Sequence, residues 1–156
     1  MTSEPTSNGR VVIAGGTGFL GLNLAGHLAE EGYEIVLISR NAPRETGPWK
    51  HARWDGRSVG DWAGHLEGAS ALVNLAGRTV DCIKTPGHCD EILRSRVESV
   101  YALGKALREI STRPPVWLQM ATAHIYGDPP EVLCNEASPF GYGLAPLVGN
   151  AWAKAY

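Results

Sequence analysis

Cysteine is scarce in this chain, and the little there is does not pair. Cys82, Cys89 and Cys134 are the only three among 156 residues. Their number is odd and no two stand as C-x-x-C, so neither a disulfide scaffold nor a zinc ribbon is indicated, and reduced thiols in a cytoplasmic protein are expected. The five histidines are scattered without ligand spacing, so no metal site is expected. An excess of one charge is missing too: 14 Lys and Arg stand against 16 Asp and Glu, for a net charge of −2. With no basic block, the electrostatic footprint of a nucleic-acid or membrane-surface binder is absent. No apolar run approaches the roughly 20 residues of a membrane span. The opening MTSEPTSNG has neither a positive stretch nor an apolar core, so residues 1–9 are read as a short disordered tail rather than a secretory signal. No G-x-S-x-G occurs, which removes the nucleophile elbow of a serine hydrolase. Internal repeats and low-complexity tracts are likewise missing.

What is there is an ordinary globular mix, 44% hydrophobic and 19% charged, long enough for a single domain with its own core. Short apolar runs alternate with helical patterns. Strands are expected at Val11–Ala14, Glu34–Ile38, Ala52–Trp54, Ala71–Leu75 and Val116–Ala121. Helices are expected at Phe19–Glu31, with Leu20, Leu24, Ala25 and Leu28 on one face, near Asp61–Leu66, over Asp90–Ile110, and from about Pro146 onward. Residues 41–50, 78–87 and the Pro/Gly-rich 127–146 read as loops. Strands apolar on both faces, joined by helices, predict an α/β fold: a doubly wound parallel sheet of Rossmann type in the order 3-2-1-4-5.

The most informative run is VVIAGGTGFLG at residues 11–21. It is a strand, a glycine turn and a helix start, and it fits G-x-G-x-x-G from Gly16 and G-x-x-G-x-x-G from Gly15. In such a turn Gly15 supplies the tight bend. Gly18 lets backbone approach a pyrophosphate, and Gly21 lets the helix pack against the strand. The helix N-terminus offers free N–H groups and a positive dipole end to the phosphates.

In sheets of this kind ligands sit beyond the carboxyl ends of the strands, so the residues there are the candidates. Ser39 and Arg40 follow strand two. Arg40 lies 19 residues past Gly21, where an NAD site carries an acidic residue and an NADP site an arginine. NADP(H) is therefore expected over NAD(H), with Arg44 as a possible aid. Asp55 follows strand three, either accepting from an adenine amino group or closing a turn. Leu75, Ala76 and Gly77 follow strand four, small enough for close passage of a ribose and nicotinamide. Ala121 and Thr122 close strand five. Thr122 is the candidate donor to a substrate oxygen. His124 is a weaker candidate base, and Tyr126 is read as packing. With Thr17, Phe19 and Leu20 of the glycine turn, these residues make up the expected cofactor contacts.

With AGGTGFLG (14–21), NLAG (74–77) and Thr122 to Gly127 in place, the chain resembles the extended short-chain dehydrogenase/reductases, the superfamily of sugar-nucleotide epimerases and dehydratases. It is most similar to their atypical epimerase family branch, also known in bacteria as cell-division-inhibitor-like. Ser39-Arg40, Ser95-Arg96 and Trp152 match that branch. The resemblance implies hydride transfer at a carbinol or carbonyl carbon of an unidentified, sugar-nucleotide-like substrate. It also implies a Tyr-x-x-x-Lys pair in the helix after strand five, and here the chain departs from the pattern. Tyr142 has Pro146 at the lysine position, and Lys154 has Asn150 at the tyrosine position. The one complete match, Tyr101 to Lys105, precedes Thr122 and is read as coincidence. Tyr142 is the candidate to stand in. Members of the superfamily carry a further substrate domain, so residues 10–156 are expected to be the NADP-binding half, with strand five left as an apolar edge. Related proteins pair through helices beside strands four and five, which makes 90–110 a candidate homodimer surface. The second reading is a non-catalytic NADP(H) sensor or scaffold that has lost the pair.

Overall fold

The structure, a computed structural model, describes residues 7–128 and 133–156. Residues 1–6 of the expected tail and 129–132 of the expected loop lie outside them. Ser7 to Gly9, placed in the tail by the sequence, are tied to the turn ahead of strand two: Asn8 N–H donates to Gly32 O (3.0 Å) and Gly9 O accepts from Glu34 N–H (2.9 Å).

Five strands form one parallel sheet: β1 (Arg10–Ala14), β2 (Glu34–Ser39), β3 (Trp49–Arg53), β4 (Ala71–Asn74) and β5 (Val116–Gln119). Their order is 3-2-1-4-5, the one expected. Three α-helices accompany them: α1 (Phe19–Glu30), α2 (Pro86–Glu109) and α3 (Leu144–Ala155). Residues Asp61–Leu66, expected as a helix, form a 3-10 turn around Gly64.

Strand periodicity splits the core in two. Val12, Ala14, Val36, Ile38 and Leu72 point to one face, against Ala102, Leu103 and Ala106 of α2 and the Trp54–Trp62 pair. Val11, Ile13, Ile35, Leu37 and Val73 point to the other, against Ala25 of α1. Such double burial is the signature of central parallel strands. It holds for β1, β2 and β4 but not for the edge strands β3 and β5, whose residues are half-buried or exposed.

Two elements begin earlier than expected. β3 runs Trp49–Arg53 rather than Ala52–Trp54, because Trp49 and Lys50, read as loop, pair with Ile35 and Val36 of β2. α2 begins at Pro86 rather than Asp90, because Thr85 caps it: its Oγ1 accepts from His88 N–H at 3.2 Å, and proline is tolerated in a first turn. Residues 86–89 lack apolar periodicity, so the pattern concealed them. On α1 the packing face consists of Gly21, Leu24, Ala25 and Leu28; Leu20, assigned to it from spacing, is 56% exposed and faces a cleft instead.

Glu34 clasps the sheet at its amino end. Its carboxylate bridges Lys50 Nζ of β3 (2.8 Å) and Arg10 Nε of β1 (3.2 Å). The Lys50 hydrogen bond, then the charges of Arg10 and Lys50, hold its pKa below the usual carboxylate value. Glu67, accepting from the Ser111 and Thr112 N–H groups, is lowered in the same way. The folded state thus binds fewer protons than the unfolded chain at acid pH. This stabilisation is complete above the unfolded carboxylate pKa of about 4 and is lost as pH falls through the lower folded values. The melting temperature is expected to be flat from neutrality to about pH 5 and to decline below it. Glu34→Gln should flatten part of that decline; melts that are identical with and without the substitution would refute the assignment.

Candidate dinucleotide site

The glycine turn joins β1 to α1, and its three key glycines act for three different reasons. Gly15 has φ +70°, and a Cβ on it would stand 2.7 Å from Ala76 Cα, so both its conformation and its contact with the β4 exit demand glycine. Gly21 lies against the turn itself: a Cβ there would collide with the Gly16 carbonyl. Gly18 is different. Its backbone is extended (φ −89°, ψ 179°), and a Cβ would meet nothing within 4 Å. It opens on a cleft at the N-terminus of α1, where no side chain caps the helix and no acidic residue sits in the first turn. The first helical bond runs from Leu22 N–H to Gly18 O (2.9 Å). An uncapped helix end beside open space has the donors and dipole sign for a diphosphate.

Two clefts meet at this turn. The outer one, about 310 Å³, lies beyond the ends of β2 and β3. Three guanidiniums line it, Arg40, Arg57 and Arg78, against two carboxylates, Asp55 and Glu91. The guanidiniums are not equivalent. Arg57 is committed to α2, pairing with Glu91 (3.0 Å) and Glu98 (2.8 Å). Its hydrogen bond holds the Glu91 pKa below the usual carboxylate value. Arg78 reaches Glu91 only at 3.9 Å, and its buried Nε has no hydrogen-bond partner among the described residues. Arg40 is exposed and makes no ion pair among them. Ser39 is buried and donates to Asn41 O (2.7 Å); with its one hydrogen so used, its 3.0 Å contact to His51 requires His51 Nε2 to carry the proton.

Asp55 lines this cleft as expected, yet its oxygens close a turn. Oδ1 accepts from Arg57 and Ser58 N–H, each at 2.8 Å, and Oδ2 from Ser58 Oγ at 2.7 Å. Led by the Ser58 hydroxyl, these bonds lower its pKa. Ser58 O in turn accepts from the indole N–H of both Trp54 and Trp62 at 3.0 Å, so Asp55 also anchors the tryptophan pair beneath the cleft.

The inner cleft is larger, about 970 Å³, and runs from the glycine turn past Ala76 and Gly77 to Thr122 and α3. Its β4 wall is held by Asn74, which is fully buried. Asn74 Oδ1 accepts from Ala76 N–H (3.0 Å), and Nδ2 donates to Gln119 Oε1 (3.0 Å) and Ser99 Oγ (3.4 Å). One amide thereby ties β4, β5 and α2 together behind the site. An asparagine inside the apolar run ALVNL was the available signal for that role.

Thr122 Oγ1 accepts from His124 N–H (3.2 Å), which leaves its own hydrogen to donate to a ligand in the cleft. Leu75, Ala76, Gly77 and Ala121 line the same cleft, as do Phe19 and Leu20. Tyr126 packs at 6.3 Å from Phe140, as expected of it. Tyr142 is 99% exposed and lines neither cleft. The α3 residues that face the inner cleft are Leu144, Ala145, Val148 and Trp152, so the position of a Tyr-x-x-x-Lys pair is apolar. Tyr101 and Lys105 are exposed on α2, with Lys105 beside Glu109 at 4.0 Å.

A glycine turn feeding an uncapped helix, at the carboxyl ends of a 3-2-1-4-5 parallel sheet, defines a Rossmann-type nucleotide-binding domain. Residues 11–156 match the model of the NAD dependent epimerase/dehydratase family, and the chain belongs to that family. Among curated proteins it is similar to the epimerase family protein YfhF of Bacillus subtilis (strain 168), 29% identical over 82% of this chain and 42% of that protein. It is also similar to the human epimerase family protein SDR39U1, 30% identical over 85% of this chain and 43% of that one. The chain spans less than half the length of these relatives. Among solved structures, human SDR39U1 (isoform 2) with NADPH superposes with a TM-score of 0.77 at 28% identity, over 94% of this chain and 48% of that one. MoeE5 in complex with UDP-glucuronic acid and NAD shares the fold, with a TM-score of 0.73 at 20% identity over 94% of this chain and 48% of that one. No helix among the described residues is long and apolar enough to cross a membrane.

Proposed function

We propose that this chain binds NADP(H), in preference to NAD(H), as the cofactor half of an oxidoreductase or epimerase-like protein of the extended short-chain dehydrogenase/reductase type. The observation that carries the reading is the uncapped α1 terminus at Gly18, open on both clefts, with Arg40 at the end of β2 in no ion pair among the described residues. The α1 N–H groups would hold the diphosphate. Arg40, with the unsatisfied Nε of Arg78, would meet a 2′-phosphate; Ser39 and the Asp55 turn would shape the wall beside it. Leu75 to Gly77 and Ala121 would flank the nicotinamide. When bound, the cofactor supplies or accepts a hydride. Thr122, whose hydroxyl hydrogen is uncommitted, would donate to the substrate oxygen and stabilise charge developing there. That human SDR39U1 was solved with NADPH supports the choice of cofactor.

The apolar cleft face of α3 favours a second reading, a non-catalytic NADP(H) sensor or scaffold. A homodimer through α2 would serve either role, with Tyr101, 60% exposed, on the surface that pairs. Free thiols at Cys82 and Cys89 suit a reducing, cytoplasmic setting.

Fluorescence titration with NADPH and with NADH at matched ionic strength tests the central claim. NADPH should bind more tightly. Arg40→Ala should weaken it by about tenfold to a hundredfold, as for a lost charged hydrogen bond, and leave NADH almost unchanged. Equal affinity for the two dinucleotides would overturn the preference. NADPH oxidation across a panel of carbonyl compounds separates enzyme from sensor.

A further inference from the structure

Arg96 of α2 is a half-buried cation with no counter-ion. Its Nη1 donates to the carbonyl oxygens of Ile92 (3.0 Å) and Arg78 (3.1 Å), and it makes no ion pair with a carboxylate among the described residues. Two groups lie against the guanidinium. One is Gly77, where an added Cβ would come within 3.1 Å of Arg96 Cζ. The other is the Trp152 ring, its centroid 5.2 Å from Cζ. Burial lowers the Arg96 pKa, although a guanidinium remains protonated. Carbonyl dipoles and an indole face solvate such a charge without neutralising it.

A second observation points the same way. Trp152 is 5% exposed, and its buried Nε1–H has no acceptor among the described residues. Arg96 and Trp152 both line the inner cleft. Lys84 adds another cation to its wall, and no Asp or Glu among the described residues belongs to that wall. The corner therefore combines unmet donors, uncompensated positive charge and apolar surroundings from Val80, Ile92, Met120 and Val148.

We infer that the Arg96–Trp152 corner of the inner cleft binds the carboxylate of an otherwise apolar ligand. The inference rests on reading this cleft as the substrate side of a dinucleotide site, and it names the substrate class: a carbonyl or hydroxy compound bearing one carboxylate. The donor geometry fits a carboxylate. With Nη1 engaged, Nε and Nη2 remain as a planar fork that matches two carboxylate oxygens, and the Trp152 ring lies in cation–π contact with it. The cofactor diphosphate has its own donors at the α1 terminus and does not need this guanidinium.

The test follows the Trp152 indole and Arg96 Nε–H resonances in the nitrogen-15 spectrum of the chain saturated with NADPH. Phenylacetate should shift both; its neutral isostere phenylacetamide should shift neither. Arg96→Gln should weaken phenylacetate binding by roughly tenfold or more, as for a lost charged hydrogen bond, without weakening NADPH. Arg96→Lys, which keeps the charge but loses the fork, should restore binding only in part. Equal shifts from phenylacetamide, or from inorganic phosphate, would overturn the assignment. Loss of NADPH affinity in Arg96→Gln would overturn it too, by giving the guanidinium to the cofactor. Repeating the titration without NADPH keeps the two readings apart. Phenylacetate binding in a chain that binds no dinucleotide would sink the cofactor reading alone; NADPH binding with no phenylacetate shift would sink this one alone.

Discussion

Gly18→Asp should abolish dinucleotide binding while leaving the fold as stable as before, or more so. The backbone at Gly18 is extended and a Cβ there has free space, so aspartate enters without strain. It would sit at the N-cap of a helix that has no side-chain cap, where its carboxylate can accept from the first-turn N–H groups and meet the positive end of the dipole. The expected gain is up to about 1 kcal/mol, or a rise of about 2–4 °C in melting temperature for a chain of this size. The same carboxylate occupies the place proposed for the diphosphate and repels it. NADPH affinity should fall by about a hundredfold or more, close to 3 kcal/mol. Gly18→Ser, which caps without charge, should retain more affinity than the aspartate variant. Calorimetric titration and thermal melts on the same samples decide the matter. Aspartate and parent binding NADPH alike would mean that the turn does not hold the phosphates.

Three residues on, the opposite outcome is expected. Gly21→Val should destabilise the whole domain by about 3 kcal/mol or more, the upper range for overpacking a tight site. Gly21 is buried, and its Cβ position is already filled by the Gly16 backbone, not by a flexible side chain that could turn aside. To admit valine, α1 must part from the turn, taking Ala25 and Leu28 away from the β1–β2 core face. The melting temperature should drop by roughly 6–12 °C. A variant that melts within about 2 °C of the parent would show that the close approach of helix and turn is not needed for stability. The two glycines look identical in the motif, yet one is kept for the ligand and the other for the fold.

That difference illustrates what sequence order carries. Strand order and the parallel sheet were legible because each follows from local pattern. Apolar runs with intervening helices leave few topologies, and in such sheets a glycine turn after the first strand stands at the carboxyl edge. That Arg40 would line the cleft beyond the end of β2 was legible for the same reason, from its fixed chain distance to the turn. Leu20 and the start of α2 were misread where local pattern was ambiguous. Helical spacing does not say which turn of a helix lies over the sheet and which overhangs a cleft, and a capped turn with no apolar residues resembles a loop.

By itself, then, the sequence determined an α/β domain of this family with a glycine turn after its first strand and no Tyr-x-x-x-Lys pair in the expected helix. Tertiary structure alone decided what surrounds that turn. Arg57 and Arg78 reach the outer cleft from two different loops, and only their positions show that Glu91 and Glu98 hold one while the other keeps a bare Nε. Arg96 and Trp152 stand 56 positions apart, on different helices, and their contact beside Gly77 is invisible in any window of the chain. Whether a charge is paired, or an indole N–H met, depends on distances between segments that fold together from far apart. Periodicity and turn chemistry describe neighbours along the chain; pairing, burial and the unmet donors of a cleft are properties of neighbours in space.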